Sequence, residues 1–220
     1  MTKTAITSKH SRGEVLYYLL AGLMFYSFAM LFVYDTKGYQ QTIENEVRAT
    51  INSLEEGTAE ELLEISRERQ QSWIYRSGFY PTIYKFFAPK EVKYIDDWSK
   101  GVLGGGIMFK FLTNVQYLGY QIIHRLTVLQ LWMMALLPLM MAIVMTGYYK
   151  WRITQYRLGG QSAGVVRIWS KVVWLAFITL TTYIIFPAVL GDLAVYAPVT
   201  ILMLMAIGVG QIVKSFNKYI

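Results

Sequence analysis

The chain has 220 residues, of which 55% are hydrophobic and 16% charged, with 21 Lys and Arg against 14 Asp and Glu. Soluble chains run at about 45–50% apolar and about 25% charged, so this balance excludes an ordinary water-soluble domain. The absence of cysteine excludes a disulfide framework, a thiolate metal site and a cysteine nucleophile, and the two histidines, His10 and His124, stand too far apart in sequence to suggest a metal cluster.

A bilayer-spanning helix takes about 20 mostly apolar residues. Residues 15–34 (VLYYLLAGLMFYSFAMLFVY) supply the first such run, without a charge. Its apolar core is longer than the roughly 7–15 residues of a signal peptide, and Asp35-Thr36-Lys37 follows in place of a small-residue cleavage site, so the run reads as an uncleaved anchor.

Residues 35–125 read as a helical segment outside the membrane. Ile43, Val47, Ile51 and Leu54 recur at helical spacing with Glu and Arg between them, which predicts an amphipathic helix over 39–54. Glu-Glu-Gly-Thr at 55–58 breaks it. Thr58 followed by Glu61 predicts a capping box that opens a second helix to about Tyr75, with Leu62, Ile65 and Trp73 facing inward. The aromatic stretch 70–90 holds Trp73, Tyr75, Phe79, Tyr80 and Tyr84, candidates for the membrane–water interface that Trp and Tyr favour, or for a binding surface on another envelope protein. Pro81 and Pro89 bracket a short helix over 82–87, and Gly104-Gly105-Gly106 forms a hinge or a close-packing turn. From Ile107 the pattern is helical again and runs straight into the second span, with His124 and Arg125 at the outer interface.

That second span is 128–149, whose one strongly polar residue is Gln130. Residues 150–171 form a basic loop with Lys150, Arg152, Arg157, Arg167 and Lys171, no acid, and three glycines. Spans 172–190 and 196–213 follow as a tight hairpin with Asp192 in its turn, and Ala206, Gly208 and Gly210 make a small-residue face suited to close helix packing. Residues 1–14, 150–171 and 214–220 together carry ten Lys/Arg and one acid, whereas 35–125 with the short turn carry eleven Lys/Arg and thirteen acids. The positive-inside rule therefore places both termini and the basic loop in the cytoplasm. The reading is an all-α integral membrane protein of the bacterial inner membrane, with four transmembrane helices, a helical extracytoplasmic insertion between helices 1 and 2, and both termini cytoplasmic.

No ionisable residue falls inside the four runs, and the chain has no nucleophile elbow, no HExxH and no Walker loop. A stand-alone enzyme or a secondary carrier is not expected, nor is a cofactor. What remains is a protein that works through contacts. The basic loop fixes topology and attracts anionic headgroups, but an uncharged run of small residues between Arg157 and Arg167 exceeds that need. Arg157, Gly159, Gly160, Gly164 and Arg167 are the candidate partner contacts, pointing to a protein surface rather than to nucleic acid.

This layout, with the external WIYRSGFYPTIYKFF and the loop YRLGGQSAGVVRIWSKVVW, resembles a family of inner-membrane proteins of bacterial conjugative plasmids and integrating conjugative elements. The resemblance covers nearly the whole chain and rests on no catalytic motif. It implies a role in conjugative DNA transfer through type IV secretion, as a membrane partner of the type IV coupling ATPase in a hetero-oligomer. The other class is an envelope sensor or entry-exclusion-type protein acting through its external aromatic segment.

Overall fold

One helix of 50 residues organises the molecule. At 1.5 Å per residue it is about 75 Å long, against roughly 30 Å for the bilayer core, so much of it must project beyond any membrane it crosses. The structure is a computed structural model and describes residues 12–87, 105–154, 163–186 and 194–215. These are all helical or short connections: α1 (Arg12–Val33), α2 (Thr36–Ser53), α3 (Glu56–Gln70) continuing into wide π-helical turns at Gln71–Arg76, α4 (Phe79–Phe87), α5 (Gly105–Thr154), α6 (Ala163–Ile185) and α7 (Ala197–Lys214). The expected unbroken run from Ile107 into the second span is α5, which also takes in Gly105 and Gly106, two of the three glycines expected to form a hinge or turn.

Among the described residues, three helices are long and apolar enough to cross a membrane: Phe109–Thr154 of α5, Gly164–Ile185 of α6 and Ala197–Lys214 of α7. The number rises to 4 if α1 and α2, bent by 119° where they join, count as one broken span. Pro138 lies within α5 without ending it, as neighbouring helices allow in apolar surroundings.

α5, α6 and α7 form a bundle through residues with little or no side chain. A Cβ on Gly147 would lie 2.3 Å from the Gly210 carbonyl oxygen, and one on Gly210 would lie 3.1 Å from the Ile143 carbonyl oxygen. Glycine at 147 is what lets the α5 and α7 backbones meet, and at 210 a side chain would fit only if Ile143 gave way slightly. Gly208 faces α6 instead, where a Cβ would meet Val173 Cγ2 at 2.5 Å. Ala176, Tyr183, Ala194 and Ile201 form the apolar cluster of the α6–α7 hairpin.

The N-terminal half of α5 carries a second layer. Leu31 of α1, Tyr39 and Ile43 of α2, and Phe111 and Leu112 of α5 form its core. α1 is displaced along α5 relative to the hairpin. Its last carbonyls, those of Leu31 and Tyr34, accept from Asn114 Nδ2 at 2.8 and 3.1 Å. Asn114 is three turns, about 16 Å, from Arg125, which meets the end of α6.

Several local expectations are corrected. The buried stripe of α2 is Tyr39, Ile43, Glu46, Ala49 and Thr50, and Ile51, expected to face inward, is 38% exposed. Glu46 draws the helix round because its partner is buried against that face. The capping box does not form. Leu54 is already extended, α3 opens at Glu56, and Thr58 lies inside its first turn. The π turns widen the helix after Gln70 and shift its register, so Ile74 packs on Gly119 of α5 while Trp73 is 55% exposed. Gly78, at φ +80°, reverses the chain into α4, which starts at Phe79 and takes Pro81 into its first turn. The expected loop 150–171 is shorter than read, since α5 continues to Thr154 and α6 begins at Ala163. Arg157, Gly159, Gly160, Gly104 and Asp192 lie outside the described residues.

Candidate functional site

The two apolar layers meet at a buried charge. Arg125, expected at a wet interface, is 1% exposed, and Glu46, expected on a solvated face, is 3% exposed. The pairing is bidentate: Arg125 Nε donates to Glu46 Oε1 at 2.6 Å and a terminal nitrogen donates to Oε2 at 2.9 Å. This is the fork geometry in which a guanidinium holds a carboxylate most strongly. The other terminal nitrogen donates to the Phe186 carbonyl at 2.7 Å and to the Tyr183 carbonyl. The last carbonyls of a helix have no partner within it and carry its negative end. Arg125 thus caps α6 while neutralising Glu46. Its guanidinium carbon also stands 5.0 Å from the centre of the Tyr183 ring, within cation–π range.

A hydrogen-bonded shell completes the node. Gln121 Nε2 donates to Glu46 Oε2 at 3.1 Å, and Tyr39 OH donates to Gln121 Oε1 at 2.8 Å. Burial pushes the Tyr39 phenol well above its ordinary value, so the proton that makes this bond stays in place. Thr50 Oγ1 donates to the Glu46 backbone carbonyl at 3.0 Å, which spends its single proton. The 3.2 Å contact between Thr50 Oγ1 and His124 Nε2 therefore has the imidazole as donor. That assigns His124 as the Nε2-protonated tautomer and leaves Nδ1 a buried lone pair without a partner among the described residues. His124 is 2% exposed and stacks on Tyr120, a correction to its expected interfacial position.

The path Tyr39, Gln121, Glu46, Arg125, Tyr183 runs from the core of one layer into that of the other. A buried ion pair contributes little beyond an apolar substitute, but removing one partner costs about 3–5 kcal/mol. The node therefore fixes how the α2 layer sits on the α6–α7 hairpin more than it raises stability. Beside it, an open groove of about 380 Å³ is lined by Arg125, Thr179, Thr182, Tyr183, Phe186 and Thr200 among others. Each of these threonine hydroxyls donates to a carbonyl of its own helix, so the groove is apolar in effect.

The sequence signals for the node are faint but present. Asn114, Gln121 and Arg125 recur seven and four residues apart, a polar stripe on an otherwise apolar helix. Tyr39, Ile43, Glu46 and Thr50 form the matching stripe on α2.

Of the residues singled out from sequence, Gly164 lies in the first turn of α6 and Arg167 is exposed one turn on. Gly208 and Gly210 face α6 and α5 as described above. Trp73, Tyr75, Phe79 and Tyr84 are all exposed, and Tyr80 stands between Tyr75 and Tyr84 at centroid distances of 5.6 and 6.1 Å. Among the described residues no three His, Asp or Glu converge as a metal-binding group.

The fold and node define a helical protein with membrane-length apolar helices and a helical layer locked to them through one buried arginine. A family model described as IncC plasmid conjugative DNA transfer protein DtrJ-like matches residues 37–216, and the chain belongs to this DtrJ-like family. The match begins inside α2 and takes in both partners of the ion pair. No curated protein and no solved structure matches the chain. Family membership gives the chain a role in conjugative DNA transfer.

Proposed function

We propose that this protein is a non-enzymatic component of the inner membrane that binds or stabilises the type IV coupling ATPase during conjugation. The observation that carries the reading is how the chain spends its polar groups, together with its family. Glu46, Arg125, Gln121 and Asn114 are all engaged in joining helices, while α5 and α6 expose Met133, Met134, Leu137, Met141, Leu175 and Phe177. A rigid bundle with outward apolar faces suits packing against lipid and against the membrane helices of a partner. In this reading the N-terminal half of α5 with α2, α3 and α4 lies outside the membrane, and the ends of α5 and α7 with the start of α6 are cytoplasmic. The cytoplasmic contact runs through Arg157, Gly159, Gly160, Gly164 and Arg167.

A second reading is favoured by one specific observation. The ladder of Tyr75, Tyr80 and Tyr84, with Phe79 and Phe86 exposed beside it, suits an entry-exclusion-type or sensing surface. Mild-detergent capture of the tagged chain from donor cells, followed by mass spectrometry, tests the first reading. The coupling ATPase is expected among the captured proteins. Its absence, with transfer abolished by replacing Tyr75, Tyr80 and Tyr84 and unaffected by changes at 157–167, favours the second.

A further inference from the structure

The parallel approach of α5 and α7 at Gly147 and Gly210 leaves a cleft of about 230 Å³ near the C-terminal ends of both helices. It is lined by Ile143, Thr146 and Lys150 on one side and by Ile207, Gln211 and Lys214 on the other, with the two glycines between them. Two lysines therefore line one small cavity whose walls include Ile143 and Ile207. No Asp or Glu occurs between Asp97 and Asp192 or after Asp192, and among the described residues neither lysine is paired with a carboxylate. The glycine contact makes the cleft a feature of backbone packing rather than of flexible side chains.

We propose that this cleft binds the phosphodiester headgroup of an anionic phospholipid. Lys150 and Lys214 hold the phosphate, the Gln211 amide donates to it, and Ile143 and Ile207 receive the first carbons of the acyl chains. Basic pockets between membrane helices at the cytoplasmic face are suited to such headgroups. This is a defined site, distinct from diffuse attraction by the basic segment 150–171. Its placement in the cytoplasmic leaflet rests on the orientation given under Proposed function, while binding in detergent does not depend on orientation.

The test uses the purified full chain in mild detergent, titrated with phosphatidylglycerol and, separately, with phosphatidylcholine, and read by native mass spectrometry. Each lysine near an anionic lipid is worth about a fivefold factor in affinity, so Lys150→Gln with Lys214→Gln is expected to weaken phosphatidylglycerol retention by roughly 25-fold. The control pair, Arg152→Gln with Lys171→Gln, removes the same charge outside the cleft and is expected to weaken retention less than the cleft pair does. Inorganic phosphate at millimolar concentration is expected not to displace the lipid; displacement means a free-phosphate site and overturns the assignment. Equal loss in both double variants, or no preference over phosphatidylcholine, overturns it too. Cysteine labelling of the intact membrane reports the orientation separately, so the two readings fail independently.

Discussion

Neutralising one member of the Glu46–Arg125 pair is expected to unlock the two helical layers. In Glu46→Gln the guanidinium keeps its α6 carbonyls but loses its counter-charge and one arm of the fork, whose bonds stand at 2.6 and 2.9 Å, since the amide offers a single acceptor. In Arg125→Met the carboxylate keeps only Gln121, and the end of α6 loses its cap at Phe186 and Tyr183. Each single variant leaves one uncompensated buried charge, at about 3–5 kcal/mol. For a chain of this size that lowers the thermal midpoint by roughly 6–20 °C. The double variant Glu46→Gln with Arg125→Met buries no charge and leaves the two uncapped carbonyls, a cost of about 1–3 kcal/mol each. It is expected to be more stable than Arg125→Met, which has the same uncapped carbonyls and an unpaired carboxylate besides. The assay is thermal unfolding of the detergent-solubilised full chain, followed by tryptophan fluorescence, together with mating frequency in donor cells carrying each variant. Single variants that melt within about 2 °C of the parent, or a double variant that loses the sum of both, would refute the node as the join between layers.

Gly147→Leu drives a side chain into the Gly210 carbonyl and is expected to abolish assembly of the α5–α7 pair, whereas Gly22→Leu, which meets nothing within 4 Å, is expected to be silent in yield and gel-filtration profile. A single cysteine placed at Gly159 is expected to be shielded from an impermeant maleimide in intact cells and one at Gly57 to react, and the reverse pattern overturns the orientation. Replacing Gly159, Gly160 and Gly164 together by Ala, with every Lys and Arg kept, is expected to preserve expression and topology while lowering DNA transfer and capture of the coupling ATPase. Normal transfer in that variant reduces the basic segment to a topology signal.

The architecture was legible where the sequence signal is long and of one sign. The unbroken run from Ile107 into the second span gives α5, and the small residues Gly208 and Gly210 fall on α7 against α6 and α5. What failed was assignment of face. Glu46 and Arg125 carry full charges, and a full charge reads as solvated unless its partner is known. Here the partners are 79 residues apart in sequence, beyond any local window. The π turns at Gln71–Arg76 moved Ile74 inward in place of Trp73 for a similar reason: a change of pitch leaves no mark in a pattern read at constant period. The displacement of α1 along α5 was likewise invisible, because hydropathy fixes the length of a run and not its height against its neighbours.

The most direct test of the proposed partnership is site-specific photocrosslinking in living donor cells. A photoreactive amino acid at Ile168, which is 61% exposed near the start of α6, is paired with one at Tyr84, 50% exposed on α4. Contact with the coupling ATPase at the cytoplasmic end predicts an adduct containing that ATPase from position 168 and none from position 84. An ATPase-free result at 168, with an adduct to another envelope protein at 84, contradicts it and moves the working surface to the aromatic face outside the membrane.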